Sequence, residues 1–242
     1  MSHIQQLVNT LNSYQALPHH QDTQLADVFG KVQTWQKQRI KQSSKALFDN
    51  PQTAPLARYL IERIYGNDSF DVLAGQLLTA GNNALNGSGR LEKLIPSNVL
   101  ATGVLGVQSA VNAIKLDLAL AHTIMAHADL STKFDQHDIT DALMIQSYQI
   151  TDAKTARTAQ IHDIKSVCEQ SYKQFNAFLL QKAFVLAKST AYHHGYQPLY
   201  DFIGEGLSAI RHIKNISDFT EPFVASELNI IDNIHHKGVV YG

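Results

Sequence analysis

Apolar residues recur along this chain at spacings of three and four, as in Leu25, Val28, Val32 and Trp35, or Leu56, Leu60 and Ile64. That period places one buried stripe on a helix, and no run of alternating β-branched residues bounded by turn signals competes with it. The pattern predicts an all-α fold of about eight or nine helices. They run roughly over 3–16, 22–48, 55–65, 70–83, 97–128, 138–148, 153–192, 198–214 and 218–236. Asn50 and Pro51 end the second helix, Asn86 to Gly89 form the most flexible stretch, and Gly195 is a left-handed stop with Pro198 beyond it. The pattern over 153–192 is expected to bend or break near Asn176. With no internal repeat, the helices are expected to share one core, so that residues 1–242 form a single multi-helix bundle.

The fifth helix sets the expected centre. From Leu94 to Ile114 there is no charged residue, which is the length of a membrane span. Pro96, Ser97, Asn98, Thr102, Gln108, Ser109 and Asn112 interrupt it, and Lys115 and Asp117 follow at once. Ala101, Gly103, Gly106, Ala110 and Ala113 suit close approach by several neighbours, so a central buried helix is expected rather than a span. The N-terminal segment lacks the basic and continuous apolar regions of a secretory signal, which leads to a cytoplasmic expectation.

Composition narrows the function classes. Twenty Lys plus Arg against twenty-one Asp plus Glu leave a net charge of −1, so no global field draws the chain to nucleic acid or anionic lipid. Cys168 is the sole cysteine, which excludes an intramolecular disulfide framework and a cysteine-based zinc ribbon. Lys31, Lys37, Lys41 and Lys45 make the second helix basic but point away from its Val32 and Trp35 stripe, as a solvated face does. Arg39 falls on that stripe. It should be at least partly buried, with an acidic partner or a stack on Trp35.

Twelve histidines invite a metal or haem reading. No glutamate has a histidine three residues later and no His-Glu-x-x-His occurs, so the carboxylate-bridged and zincin sites are absent and no metal site is assigned. Asp232, His235 and His236 are the nearest approach, at an expected helix end where cations suit the dipole. His122 closes the most apolar helix and reads first as a core-edge histidine bonded to a backbone carbonyl or an Asp; it is also the residue a haem or similar ligand would use, with haem the alternative to no cofactor at all. Gly87-Ser88-Gly89 is not a nucleophile elbow, and Cys168 has no histidine facing it at helical spacing. Gly204-x-Gly206-x-x-Ala209 has the dinucleotide spacing but lacks the preceding strand. No catalytic residue emerges.

Tyr59-Leu60-Ile61-Glu62-Arg63-Ile64-Tyr65 resembles the heptad Phe-Phe-Leu-Glu-Glu-Leu-Tyr of the bacterial FFLEELY-motif proteins, with Glu62 and Tyr65 identical. Trp35-Gln36-x-x-Arg39 upstream, Gly66 and Phe70 after the heptad, and Gly195-x-x-x-Leu199 with Asp201-Phe202-Ile203-x-x-Gly206 downstream extend the likeness over most of the chain. Arg63 and Leu60 depart from it. The resemblance implies an all-helical, cytoplasmic bacterial protein and marks Trp35, Arg39, Tyr59, Glu62, Tyr65 and Gly66 as its motif residues. The function expected is a helical binding or interaction protein, with a haem-oxygenase-like enzyme carrying a pocket beside the central helix as the alternative. Ligand contacts would come from His122, Glu62, Tyr65 and Arg39, and the partners would be a small apolar ligand, a second copy or another protein. Arg39 and Glu62, on consecutive helices, are expected to form an internal ion pair, while Arg58 and Glu62 share a polar strip.

Overall fold

A computed structural model of the chain describes residues 1–64, 67–87, 96–175 and 178–241. Tyr65 and Gly66 of the heptad, Ser88 and Gly89 of the flexible stretch and the expected break at Asn176 lie outside the described residues.

Every regular element described is helical, as the spacing predicts, but the helices number twelve rather than eight or nine. They are α1 (His3–Gln15), α2 (Thr23–Ser43), α3 (Lys45–Asp49), α4 (Ala54–Arg58), α5 (Asn67–Leu85) and α6 (Ser97–Ala126). The second half holds α7 (Ala128–His137), α8 (Asp141–Thr151), α9 (Lys154–Phe175), α10 (Phe178–His193), α11 (Gln197–Arg211) and α12 (Ser217–Asp232). Short π-helical turns follow α4 over Tyr59–Ile64 and α12 over Asn233–Lys237.

The extra helices arise in two ways, by a kink within an expected helix and by a helix where none is expected. Ser44 leaves helical geometry (φ −108, ψ 24) and separates α2 from α3. His127 is extended (φ −98, ψ 116), so the chain turns there and α7 forms in a stretch whose periodicity predicts no helix. Side-chain caps fix several starts, with Ser2, Asp22 and Thr140 accepting from the backbone N–H groups of Gln5, Leu25 and Leu143. Asp152, at φ 48 and ψ 43, ends α8 in the left-handed conformation.

The apolar stripes converge on two packed clusters. One joins α1, α2, α5, α6 and α8 around Leu11, Leu25, Phe29, Ile124 and Met144, all essentially inaccessible. The other joins α4, α11 and α12 around Leu56, Ile210, Phe219 and Phe223. Helix α6 contacts α1, α2, α7, α8 and α9. By length and composition alone it could cross a membrane, yet it carries Asp117 fully buried among its neighbours. A cavity lies where the two clusters meet.

Candidate functional site

The cavity has a volume of about 410 Å³, within the range of small-molecule sites. Its apolar walls come from Leu60 and Ile61 of the π-helical turn, Val104 and Val107 of α6, and Phe202 and Leu207 of α11. Phe70 and Ile114 from the first cluster and Ile210 from the second also face it. In a π-helical turn one extra residue is accommodated and the side-chain register shifts, so Tyr59, Leu60 and Ile61 in sequence all reach the cavity wall.

Arg39, Arg157 and Glu227 on the wall, with Asp117 behind it, belong to one network of charged side chains. Arg39 of α2 is bidentate to Glu227 of α12, with Nη1–Oε1 and Nη2–Oε2 distances of 2.9 and 2.8 Å. Its Nε donates to Gln36 Oε1 at 3.1 Å, and Gln36 Nε2 in turn donates to Asp117 Oδ1 of α6 at 3.1 Å and to the Tyr148 hydroxyl. Arg157 of α9 closes the series by donating to the same Asp117 oxygen at 2.7 Å, while its guanidinium sits 5.3 Å from the Tyr148 ring centroid. Arg39 and Arg157 are 6% and 5% exposed, and Glu227 and Asp117 2% and 0%, so both pairs are desolvated. A lone charge at that depth would cost several kcal/mol; two opposed pairs bridged by Gln36 cancel to zero net charge. The network thus ties α2, α6, α8, α9 and α12 together beside the cavity.

The Arg39–Glu62 pairing expected from the sequence is not formed. Glu62 binds Lys41 at 2.8 Å, with both side chains about half exposed (49% and 46%). Lys41 lies two residues beyond Arg39 on α2, about 200° around the helix, so the two cations face opposite sides and take different acids. The expectation that Arg39 is buried with an acidic partner does hold, with Glu227 in that role. Trp35 stands 5.9 Å from the Arg39 guanidinium and donates its indole N–H to Asp141 at 2.7 Å.

His122 is exposed on α6 and does not border the cavity, so it is not placed to ligate a haem held there. Among the described residues no group of three or more His, Cys, Asp or Glu could hold a metal ion. At the C-terminal end Asp232 accepts from Lys154 at 2.8 Å, a bond that holds its carboxyl below the usual range, and His236 lies 3.4 Å away. Cys168 lines the cavity, but burial pushes its thiol up to about 12, which removes it as a nucleophile near neutral pH. Gly204 and Gly206 sit within α11, and a Cβ on Gly206 would come within 2.7 Å of the Tyr59 ring and hydroxyl. That glycine lets Tyr59 approach α11, where its ring also meets Phe202 at 5.3 Å. The heptad and the downstream Phe202 and Gly206 signature, far apart in sequence, therefore share one wall.

Sequence reasoning found Arg39, Trp35 and Tyr59 and missed Glu227, Asp117, Arg157, Gln36 and Tyr148. The available signal was Asp117, an acid placed one turn after a long uncharged run. Glu227 and Arg157 carry no comparable mark, because their helices are amphipathic with ordinary charges elsewhere.

No curated protein and no solved structure matches the chain. Residues 15–239 match the family described as a domain of unknown function (DUF8198), and the chain belongs to that family.

Proposed function

We propose that this protein binds a small, largely apolar molecule in the cavity between its two hydrophobic clusters, with α6 as the central helix of one bundle. The observation that carries the reading is a cavity of about 410 Å³ bounded by aliphatic and aromatic side chains next to two buried Arg–carboxylate pairs. An apolar molecule seated there would cover the apolar lining and gain packing contacts that the unfilled cavity lacks. Part of the heptad, Tyr59 to Ile61, and the downstream Phe202 and Gly206 line this cavity together, which links the segments that resemble the FFLEELY-motif proteins to the proposed site.

Cavity filling tests the reading. A side chain grown from Gly103 meets nothing within 4 Å, and Ala110 lies on the same face of α6; both line the cavity. Wild-type protein is expected to bind Nile red with a blue-shifted, enhanced emission, and Gly103→Phe and Ala110→Phe to lose that binding while keeping helical circular dichroism. Equal binding by the filled variants, or no Nile red binding by the wild type, would sink the proposal.

A further inference from the structure

Two amide side chains on the cavity wall have hydrogen-bonding capacity that the fold does not use, as do the smaller hydroxyls of Ser109 and Ser171. Gln33 of α2 is 4% exposed, lines the cavity, and its amide makes no hydrogen bond among the described residues. Gln160 of α9 is 5% exposed and lines the same cavity; its Oε1 receives a 3.5 Å contact from Arg157 Nη1, and its Nε2 donates to nothing described. Amides within a protein are ordinarily satisfied, and one that faces an apolar cavity without a partner favours whatever bonds to it. Each amide offers both a donor and an acceptor.

The charged groups of the wall are in the opposite condition. Arg39 spends its Nε and both terminal nitrogens on Gln36 and Glu227, and Arg157 donates to Asp117 and Gln160. Among the described residues no lysine borders the cavity. An anionic head group would have to be desolvated there without an uncommitted cation, and a cationic one would have to compete with Arg39 for Glu227, the carboxylate on the described wall.

We infer that the ligand is an uncharged amphiphile, an apolar chain or ring system bearing a hydroxyl, carbonyl or amide group, and that Gln33 and Gln160 are its recognition residues. The inference rests on the cavity-binding reading and deepens it. A neutral polar group exchanges its hydrogen bonds with water for bonds to the glutamine amides, whereas the rest of the molecule gains from apolar burial. The ion pairs then act as a wall of fixed polarity that stays intact when the ligand enters.

The experiment is displacement of Nile red from the full chain by decanol, decanoate and decane, in the wild type and in Gln33→Leu and Gln160→Leu. Decanol is expected to displace the dye at a concentration at least about tenfold below decanoate, because the carboxylate finds no uncommitted cation. Each Gln→Leu change is expected to weaken decanol by roughly five- to tenfold while leaving decane unchanged. Decanoate equal to or better than decanol, or variants that bind decanol as the wild type does, would overturn the inference while leaving the pocket itself standing. Failure of Nile red to bind would overturn the pocket. Should a leucine variant not fold, Gln33→Met and the wild-type comparison of decanol with decanoate still decide the matter.

Discussion

Two ion pairs leave α2 within one turn and differ in almost every physical respect. Arg39–Glu227 is buried, bidentate and joined through Gln36 to a second pair, whereas Lys41–Glu62 is half exposed, with a single contact of 2.8 Å. The first pair connects helices 188 residues apart in sequence and flanks the cavity; the second joins α2 to the neighbouring π-helical turn, 21 residues on. Charge on a sequence has no fixed structural meaning, because the surrounding dielectric and the number of other bonds decide whether a pair organises the fold or decorates it.

Breaking the buried pair gives the largest expected effect. Glu227→Ala strands the Arg39 guanidinium and should cost about 3 to 5 kcal/mol in urea unfolding, and Asp117→Ala should act similarly on Arg157. The double change Arg39→Met with Glu227→Leu removes both charges and should recover most of that loss. If Glu227→Ala costs under about 1 kcal/mol, the network is no more important than the surface pair.

The next effect tests whether the close wall beside the cavity is as tightly fixed. Gly206→Ala drives a methyl group to 2.7 Å from Tyr59, and should cost about 1 to 3 kcal/mol. The double variant Gly206→Ala with Tyr59→Leu should recover part of it, and the melting temperatures of the four proteins measure the coupling.

A smaller effect, confined to acid, separates a half-buried neutral group from the buried charged ones. His19 packs against Tyr14 and Phe29, and burial followed by the nearby His20 lowers its pKa from 6.5 to about 4. The unfolded chain takes up a proton at His19 below pH 6.5 that the folded chain refuses until about pH 4. Its contribution to stability is therefore present above pH 6.5 and declines as the pH falls toward 4. Unfolding free energies of wild type and His19→Gln should converge over that window, and curves that stay parallel would refute the assignment.

The smallest effect is expected at the exposed pair. Glu62→Gln should change stability by less than about 1 kcal/mol, and the difference should shrink further in high salt. A larger loss, retained at high salt, would restore to Glu62 the importance that the sequence resemblance suggests for it.

How much of this was legible beforehand depended on the range of the interaction. The stripe Val28, Val32, Trp35 and Arg39 told that Arg39 turns inward, and local geometry sufficed for that. The choice of Glu227 over Glu62 was not legible, because it depends on where α12 returns to the bundle. The motif in Tyr59–Ile64 was visible as a pattern, but its π-helical register was not, since the same side chains suit an ordinary helix. The apolar run places His122 at the end of a core helix, as a core-edge residue or a ligand contact, but α6 has an exposed strip and the histidine is on it.

By itself the sequence determined the helical class, the inward stripes and the main stops, because each follows from residues within a few positions of one another. Only the tertiary structure decided that two hydrophobic clusters leave a cavity between them, that Asp117 and Glu227 neutralise Arg157 and Arg39, and that Gln33 and Gln160 face the void. Those outcomes depend on helix packing across the whole chain, where side-chain volume and desolvation act between residues that the local pattern cannot relate.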